Sequence, residues 1–372
     1  MPTPPLLDLP AEPYERGRRH GDAMAALIRD NVEIYLDRFA SGGLGRAEAL
    51  ALGEEWAPRI ERYHAGYHEE MRGVADGSAL PLATIAMLNA RYELIYGVFG
   101  TEAHGAPDRG IGQEPDGCTS FGLMPEATRE RITMIGQNWD WLARIVGHTF
   151  VMRVRRTDVP SFVGFTEVGI VGCKMGVNEH GIGLCVNGLV SDRDGQSPFE
   201  KPFHVRCKEI LDGRTLDKAI LPVVQTDRVG SANFLLGQAG GEIIDIEAAP
   251  HRCAYLYPDA DGVITHANHF EAMPDVRSQM ERIGPHTLYR AVRLRRLLKR
   301  DLGRLDIARI KAALSDGFGH PGAICRYPDE TLPEARRGVT AASIVIDLDR
   351  RILYATDGQP DRGDYGVYPL EA

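Results

Sequence analysis

Apolar positions in the first hundred residues recur at helical spacing. Met24, Leu27, Ile28, Val32, Tyr35, Leu36 and Phe39 fall mostly three or four apart, the repeat of one buried helix face. Gly42-Gly43 closes that helix. Trp56, Ile60 and Tyr63 carry the period into a second one. Leu80-Pro81-Leu82 opens a third, with Ile85, Leu88 and Tyr92 on one face. Proline is tolerated at a helix start, where its missing N–H would have no partner. Strand-like runs are scarce in this part.

The run from Gly100 to Gly117, GTEAHGAPDRGIGQEPDG, is rich in glycine, proline and acid. It predicts a loop or linker. Beyond it the period changes from helical to alternating. Strands are expected over 119–123, 131–139, 149–155, 161–167, 173–177 and 182–189, with Asn178–Gly181 as a turn. Helices are expected at 202–212 and 214–226. Strands return at 232–237, 242–248, 252–257 and 262–267, helices at 286–301 and 305–316, and strands at 341–348 and 351–356. Strand pairs joined by short turns suit antiparallel pairing. Strands and helices in separate runs point to α+β layers, not a βαβ sheet.

Composition adds exclusions. The 372 residues are 43% hydrophobic and 26% charged, ordinary for a globular chain of one large or two smaller domains. No apolar run approaches the ~18 residues of a membrane span. The amino terminus lacks a basic, then apolar, leader pattern, so the expected location is the cytoplasm. The net charge of −9 carries no basic footprint for nucleic acid. Residues 1–117 hold nineteen acidic and eleven basic side chains, which reads as a solvated helical surface. Cys118, Cys173, Cys185, Cys207, Cys253 and Cys325 show no C-x-x-C spacing, so neither a zinc ribbon nor a thioredoxin motif is visible. Apart from Cys118 they read as buried thiols. His266 and His269 lack a third ligand at metal spacing and read as structural. The basic residues Arg293, Arg295, Arg296, Lys299 and Arg300 read as the solvated face of an amphipathic helix.

Cys118 stands where the loop meets the first strand, in Asp116-Gly117-Cys118-Thr119. Gly117 permits backbone angles that a β-carbon forbids. A thiol one residue after a twisted peptide carbonyl can add to it. An N-to-S acyl shift gives a thioester, water cleaves it, and a new chain begins at Cys118. That residue then carries both a nucleophile and its own base, since a free α-amine of pKa near ~7.7–8.0 can accept the thiol proton. Polar residues follow at predicted strand ends: Gly136–Asp140, Asn187, Thr265–His269, Ala323–Arg326 and Arg336–Gly338.

Taken together these motifs resemble those of the isopenicillin N acyltransferase family, relatives of the acyl-coenzyme A:6-aminopenicillanic acid acyltransferases and self-cleaving N-terminal-nucleophile (Ntn) hydrolases. Gly17-Arg-Arg-His20-Gly21 is similar to the family's G-x-x-H-G, and Leu88-Asn-Ala-Arg91-Tyr-Glu93 to its L-N-x-R-x-E. The processing site is Asp116-Gly117-Cys118-Thr119. Gly136–Asp140 matches G-Q-N-W-D, Thr166–Gly169 matches T-E-x-G, and His266–His269 matches H-x-N-H. The resemblance covers nearly the whole chain. It implies a four-layer αββα Ntn-hydrolase sandwich with a helical amino-terminal segment. Residues 1–117 would be a fragment released by self-cleavage yet retained, and 118–372 the nucleophile domain. Cys118 would be the nucleophile and Gly117-Cys118 the processing bond. Asn268 would supply an oxyanion N–H, and Asp140 would orient the terminal amine or assist processing.

Arg337 aligns with a substrate-pocket arginine, and Thr119, Trp139 and Glu167 are further candidate substrate contacts. Arg336 stands where the type member of the family has serine, which changes the charge and size of the pocket and counts against penicillin-nucleus specificity. The implied reaction is hydrolysis or transfer of the acyl group of a small N-acyl amide or peptide-like metabolite, with no metal or organic cofactor. An acyl-coenzyme A-dependent N-acyltransferase is the alternative within the same chemistry, with an acyl thioester as donor. A Cys–His thiol hydrolase that never self-cleaves and an inactive binding homologue are the readings from other classes. The expected partners are the small substrate and the chain's own amino-terminal fragment, with neither nucleic acid nor membrane.

Overall fold

The computed structural model describes residues 3–95 and 117–371. Most of the expected linker, including Asp116, lies outside the described residues; Gly117 lies within them. Two sheets pack face to face. The larger has the strand order β1-β4-β5-β6-β7-β8-β9-β10: β1 (Leu6–Leu9), β4 (Thr149–Val154), β5 (Phe162–Glu167), β6 (Met175–Asn178), β7 (Ile182–Gly188), β8 (Ala232–Gln238), β9 (Glu242–Ala249) and β10 (Arg252–Leu256). The smaller has the order β11-β2-β3-β12-β13-β14: β11 (Val263–His266), β2 (Thr119–Leu123), β3 (Met134–Leu142), β12 (Gly338–Asp347), β13 (Ile352–Ala355) and β14 (Gly366–Pro369).

Helices cover both outer faces. The four amino-terminal helices, α1 (Pro13–Ser41), α2 (Arg46–Tyr63), α3 (Ala65–Ser78) and α4 (Leu82–Asn89), lie with α5 (Phe203–Leu211) and α6 (Leu216–Val224) on the side of the larger sheet. Helix α7 (Thr287–Lys299) packs on β2 and β11 of the smaller sheet, and α8 (Ile307–Leu314) packs on α7. This is the expected αββα layering. Every named strand pair is antiparallel except β1 with β4. One apolar core joins Ile28, Tyr35, Trp56 and Met71 of the amino-terminal helices to Trp139, Phe150, Phe165 and Leu184 of the sheets. A second, smaller core holds Phe121, Leu294, Leu298 and Ile310 beneath α7 and α8.

Two features of the amino-terminal part depart from the expected pattern, as does strand β14 near the other end of the chain. The amino-terminal part is not purely helical, because Leu6–Leu9 adds a parallel edge strand to β4, with Leu6 opposite Val151. Four residues between prolines are too short for a periodic signal. Helix α3 also goes unannounced, because Gly66, Gly73 and Gly77 dilute its apolar stripe. Those glycines have a packing reason. A β-carbon on Gly73 would stand 2.1 Å from the Tyr14 carbonyl oxygen, and one on Gly17 would stand 1.9 Å from that of Glu70. The α1 and α3 backbones touch at Gly17, Gly21, Gly73 and Gly77, and the buried Arg16–Glu70 ion pair, 2.6 Å long, ties the same contact.

Candidate active site

Strand β2 lies inside its sheet, between β11 and β3. Cys118 immediately precedes it and is 1% exposed. Residues opposite one another in a ladder share a face. Ser120, Gln137 and His266 are linked in register and so face the larger sheet together. Hydrogen bonds cross from one sheet to the other there, among them that of His266 with Glu247 of β9. Asn187 Nδ2 donates to Ser120 Oγ (2.9 Å), and the Val186 amide donates to Gln137 Oε1 (2.7 Å).

On β3 the motif Gln137–Trp141 alternates sides. Trp139 packs edge-on against Phe165 of the larger sheet. Asn138 faces the other way, bonding the carbonyls of Leu314 and Ile324. Asp140 shares that side by strand alternation. Its Oδ1 accepts from Thr340 Oγ1 at 2.6 Å, across the β3–β12 register and beside a bulge between Thr340 and Ala342. Thr340 Oγ1 in turn accepts the Arg326 amide at 2.8 Å. Gly117 sits against this group: a β-carbon there would stand 2.1 Å from Arg326 Nη1 and 3.0 Å from Asp140 Oδ2. No larger residue fits without displacing the guanidinium. Burial lowers the pKa of Arg326 to about 10, which leaves it a cation near neutrality.

Asn268 lies two residues beyond the end of β11. Its amide N–H donates to Thr287 Oγ1 (2.8 Å) and its Nδ2 to the Gly188 carbonyl (2.9 Å). The loop carrying it is held by Glu247, which accepts from His266 Nε2 (2.9 Å) and the Ala272 amide (3.0 Å). His266 Nδ1 meets the Ala267 carbonyl at 2.9 Å. Both partners are acceptors, so both ring nitrogens donate and His266 is an imidazolium. Burial works against that charge, but the Asp245 and Glu247 carboxylates prevail and lift its pKa to about 9. His266 is thus a fixed structural cation. Among the described residues no group of three or more His, Cys, Asp or Glu side chains is placed to hold a metal ion, and no helix is long and apolar enough to cross a membrane.

One site residue escaped sequence reasoning. Arg290 of α7 donates through Nη1 to the carbonyls of Gly117 and Cys118 (2.6 Å to the latter) and to Thr119 Oγ1 (2.6 Å). Its Nη2 reaches Asn268 Oδ1 (2.6 Å) and its Nε reaches His286 Nδ1 (3.1 Å). The available signal is an arginine on the apolar stripe of a helix: Arg290, Leu294 and Leu298 are spaced by four and all fully buried. The neighbouring arginines on the exposed side masked it.

The other expected substrate contacts have partners within the protein. Glu167 is fully buried. Tyr35 Oη and Arg91 Nη2 donate to its carboxylate, and Lys174 Nζ does so at 2.6 Å. Burial would raise its pKa, but Arg91 and Lys174 hold it down at about 2. Lys174 also lies 3.3 Å from the centre of the Trp139 ring, and Trp141 donates to Tyr35 Oη at 2.8 Å. Arg337 donates to the backbone carbonyls of Leu332 (2.9 Å) and Glu330 (3.2 Å), and Arg336 to that of Ser41 (3.3 Å). The guanidinium groups described beside Gly117 are those of Arg326 and Arg290. All six cysteines are free; Cys253 is half-buried rather than buried, because it lies on the outermost strand of its sheet.

A family model described as acyl-coenzyme A:6-aminopenicillanic acid acyl-transferase matches residues 127–362. A relative from Emericella nidulans, described as the 40 kDa form of acyl-coenzyme A:6-aminopenicillanic-acid-acyltransferase, is 26% identical over 359 residues, which is 95% of this chain and 92% of the relative. Among solved structures, an N-acylethanolamine-hydrolyzing acid amidase orthologue from Caenorhabditis elegans has a TM-score of 0.48 at 13% identity, covering 68% of this chain and all of that one. A penicillin V acylase from Agrobacterium tumefaciens has a TM-score of 0.44 at 16% identity, covering 64% and 82%. The chain belongs to the acyl-coenzyme A:6-aminopenicillanic acid acyl-transferase family.

Proposed function

We propose that this chain is a cysteine amidohydrolase that activates itself by cutting the Gly117–Cys118 bond. Cys118 Sγ adds to the Gly117 carbonyl carbon, and the tetrahedral species collapses by breaking the C–N bond. The thiol proton ends on the departing Cys118 nitrogen. Water then cleaves the thioester, leaving a carboxylate on Gly117 and a free amine and thiol on Cys118. The mature cycle repeats this chemistry on a small N-acyl amide. The thiol attacks with the α-amine as base, the amine product leaves, and water releases the acid. Asn268 Nδ2 keeps one N–H on the Gly188 carbonyl and gives its other to the oxyanion, and Asp140 orients the new amine. The observation that carries this reading is the convergence on one buried peptide bond of Asp140 with its Thr340 contact, Arg326, and the Asn268 network.

The amino-terminal fragment stays bound in this account. Two of its motif residues, His20 and Asn89, clamp the segment after β5. Gly169 N–H donates to His20 Nε2 (3.0 Å), Asn89 Nδ2 donates to the Gly169 carbonyl (3.0 Å), and the Val171 amide donates to Asn89 Oδ1 (2.9 Å). Arg91 adds the ion pair with Glu167.

The acyl acceptor is proposed to be water. The test is amine release from a panel of N-acyl amides with no thioester present. Release by wild type and not by Cys118→Ala is expected. Turnover seen only when an acyl thioester and an amine are supplied together would instead make the chain an N-acyltransferase.

A further inference from the structure

Successive carbonyls of an extended strand point to opposite sides. Those of Gly117 and Cys118 instead turn to the same nitrogen, Nη1 of Arg290. The chain therefore bends at Cys118, and the Gly117 oxygen is drawn onto a cation. That oxygen is the one that gains charge when a nucleophile adds to the Gly117 carbonyl. Arg290 is fully buried, so its interaction with a developing charge is screened far less than at a surface. A prepositioned donor aimed at such an oxygen accelerates addition without reorganising.

The same guanidinium determines which way Asn268 faces. Arginine has only donors, so the amide atom against Nη2 must be the Asn268 oxygen. That sends Nδ2, the intended oxyanion donor, to the opposite side. His286 braces the arrangement. Its Nδ1 accepts from Arg290 Nε, and burial together with the neighbouring Arg290 charge lowers its pKa to about 3, so the ring is neutral and keeps that lone pair. Thr119 completes the set, its Oγ1 2.6 Å from Nη1.

We propose that Arg290 has two successive roles: it is the catalytic electrophile of self-cleavage, holding the Gly117 carbonyl, and thereafter a positioning residue that fixes the Asn268 amide for turnover. This rests on the self-cleavage reading above. The roles separate because they use different nitrogens. Nη1 serves the carbonyl and Nη2 serves Asn268. A lysine reaches the first position with one ammonium group and leaves the second without a donor.

The experiment compares full-length wild type with Arg290→Lys and Arg290→Met, and with Arg296→Gln as a control on the exposed side of α7. Cleavage is followed by intact mass over time, folding by thermal midpoint, and kcat and KM on the cleaved fraction. Arg290→Met is expected to cleave ~10²-fold slower or worse. Arg290→Lys is expected to cleave at a rate nearer wild type, while its cleaved form loses at least ~10-fold in kcat with KM unchanged. Arg296→Gln is expected to match wild type in every readout. A folded Arg290→Met variant that cleaves at the wild-type rate overturns the first role. If the Met variant does not fold, a Lys variant that stays uncleaved overturns it. A cleaved Lys variant with wild-type kcat overturns the second. Wild type that remains a single chain while hydrolysing amides removes the self-cleavage reading itself, and with it the first role.

Discussion

Arg91 and Glu167 form a buried ion pair across the proposed cleavage point, one partner in each prospective fragment and 76 positions apart in sequence. Lys174 gives the carboxylate a second cation and Tyr35 gives it a hydroxyl. Removing one partner from a buried pair leaves an uncompensated charge, at a cost of ~3–5 kcal/mol. Glu167→Gln is therefore expected to lower the thermal midpoint strongly and to release the amino-terminal fragment on size-exclusion chromatography after cleavage. Co-elution with an unchanged midpoint would contradict the clamp.

The acid side tests the same clamp without mutation. The Glu167 pKa, about 2, lies below its ordinary 4.5. Its stabilising effect is full above pH 4.5 and is lost as pH falls through about 2. Denaturant unfolding between pH 5 and 2 should show falling stability, and Glu167→Gln should flatten part of that slope. An identical slope in both proteins would assign the acid sensitivity to other groups.

His266 gives the opposite sign. Its pKa, about 9, lies above the ordinary 6.5. The imidazolium stabilises fully below pH 6.5, and that contribution is lost as pH rises through about 9. A loss on the order of 1–3 kcal/mol is expected between pH 7 and 10 in urea unfolding. Activity should fall with it, since the Glu247–His266 pair supports the loop bearing Asn268. A flat profile would contradict the charged form.

Asn268→Ala removes the proposed oxyanion donor. The expected loss is ~10²–10³ in kcat with KM little changed, measured on the cleaved fraction. A change confined to KM would make Asn268 a binding group.

Gly117→Ala puts a β-carbon 2.1 Å from Arg326 Nη1. The guanidinium or the peptide must shift, and displacements near 1 Å at a reacting centre cost up to ~10²-fold. Cleavage slowed in a variant with a wild-type thermal midpoint is expected. Cleavage at the normal rate would show that Arg326 yields freely.

Much of the layering was legible in sequence. The switch from the helical repeat of Met24–Phe39 to alternation after Cys118 marked where helices give way to sheets, and the strand-end motifs supplied most residues of the candidate site. What failed has local causes. Leu6–Leu9 is too short to show a period, and α3 trades apolar side chains for the glycines that let it touch α1. The surroundings of Glu167 were hidden because its partners Tyr35, Arg91 and Lys174 come from three separate segments. Arg337 matched an expected position and Arg336 departed from one, while the arginines that reach Gly117, Arg326 and Arg290, stand in separate segments. Sequence distance gives no hint that α7 lies over β2.

The central claim is the covalent event at Cys118. Intact mass under denaturing conditions, on wild type and Cys118→Ala, tests it most directly. The account predicts two wild-type fragments of roughly 13 and 28 kDa by proportion of chain length, with the larger beginning at Cys118, and a single 41.0 kDa chain for the variant. A wild-type protein that stays at full length while hydrolysing amides would contradict it.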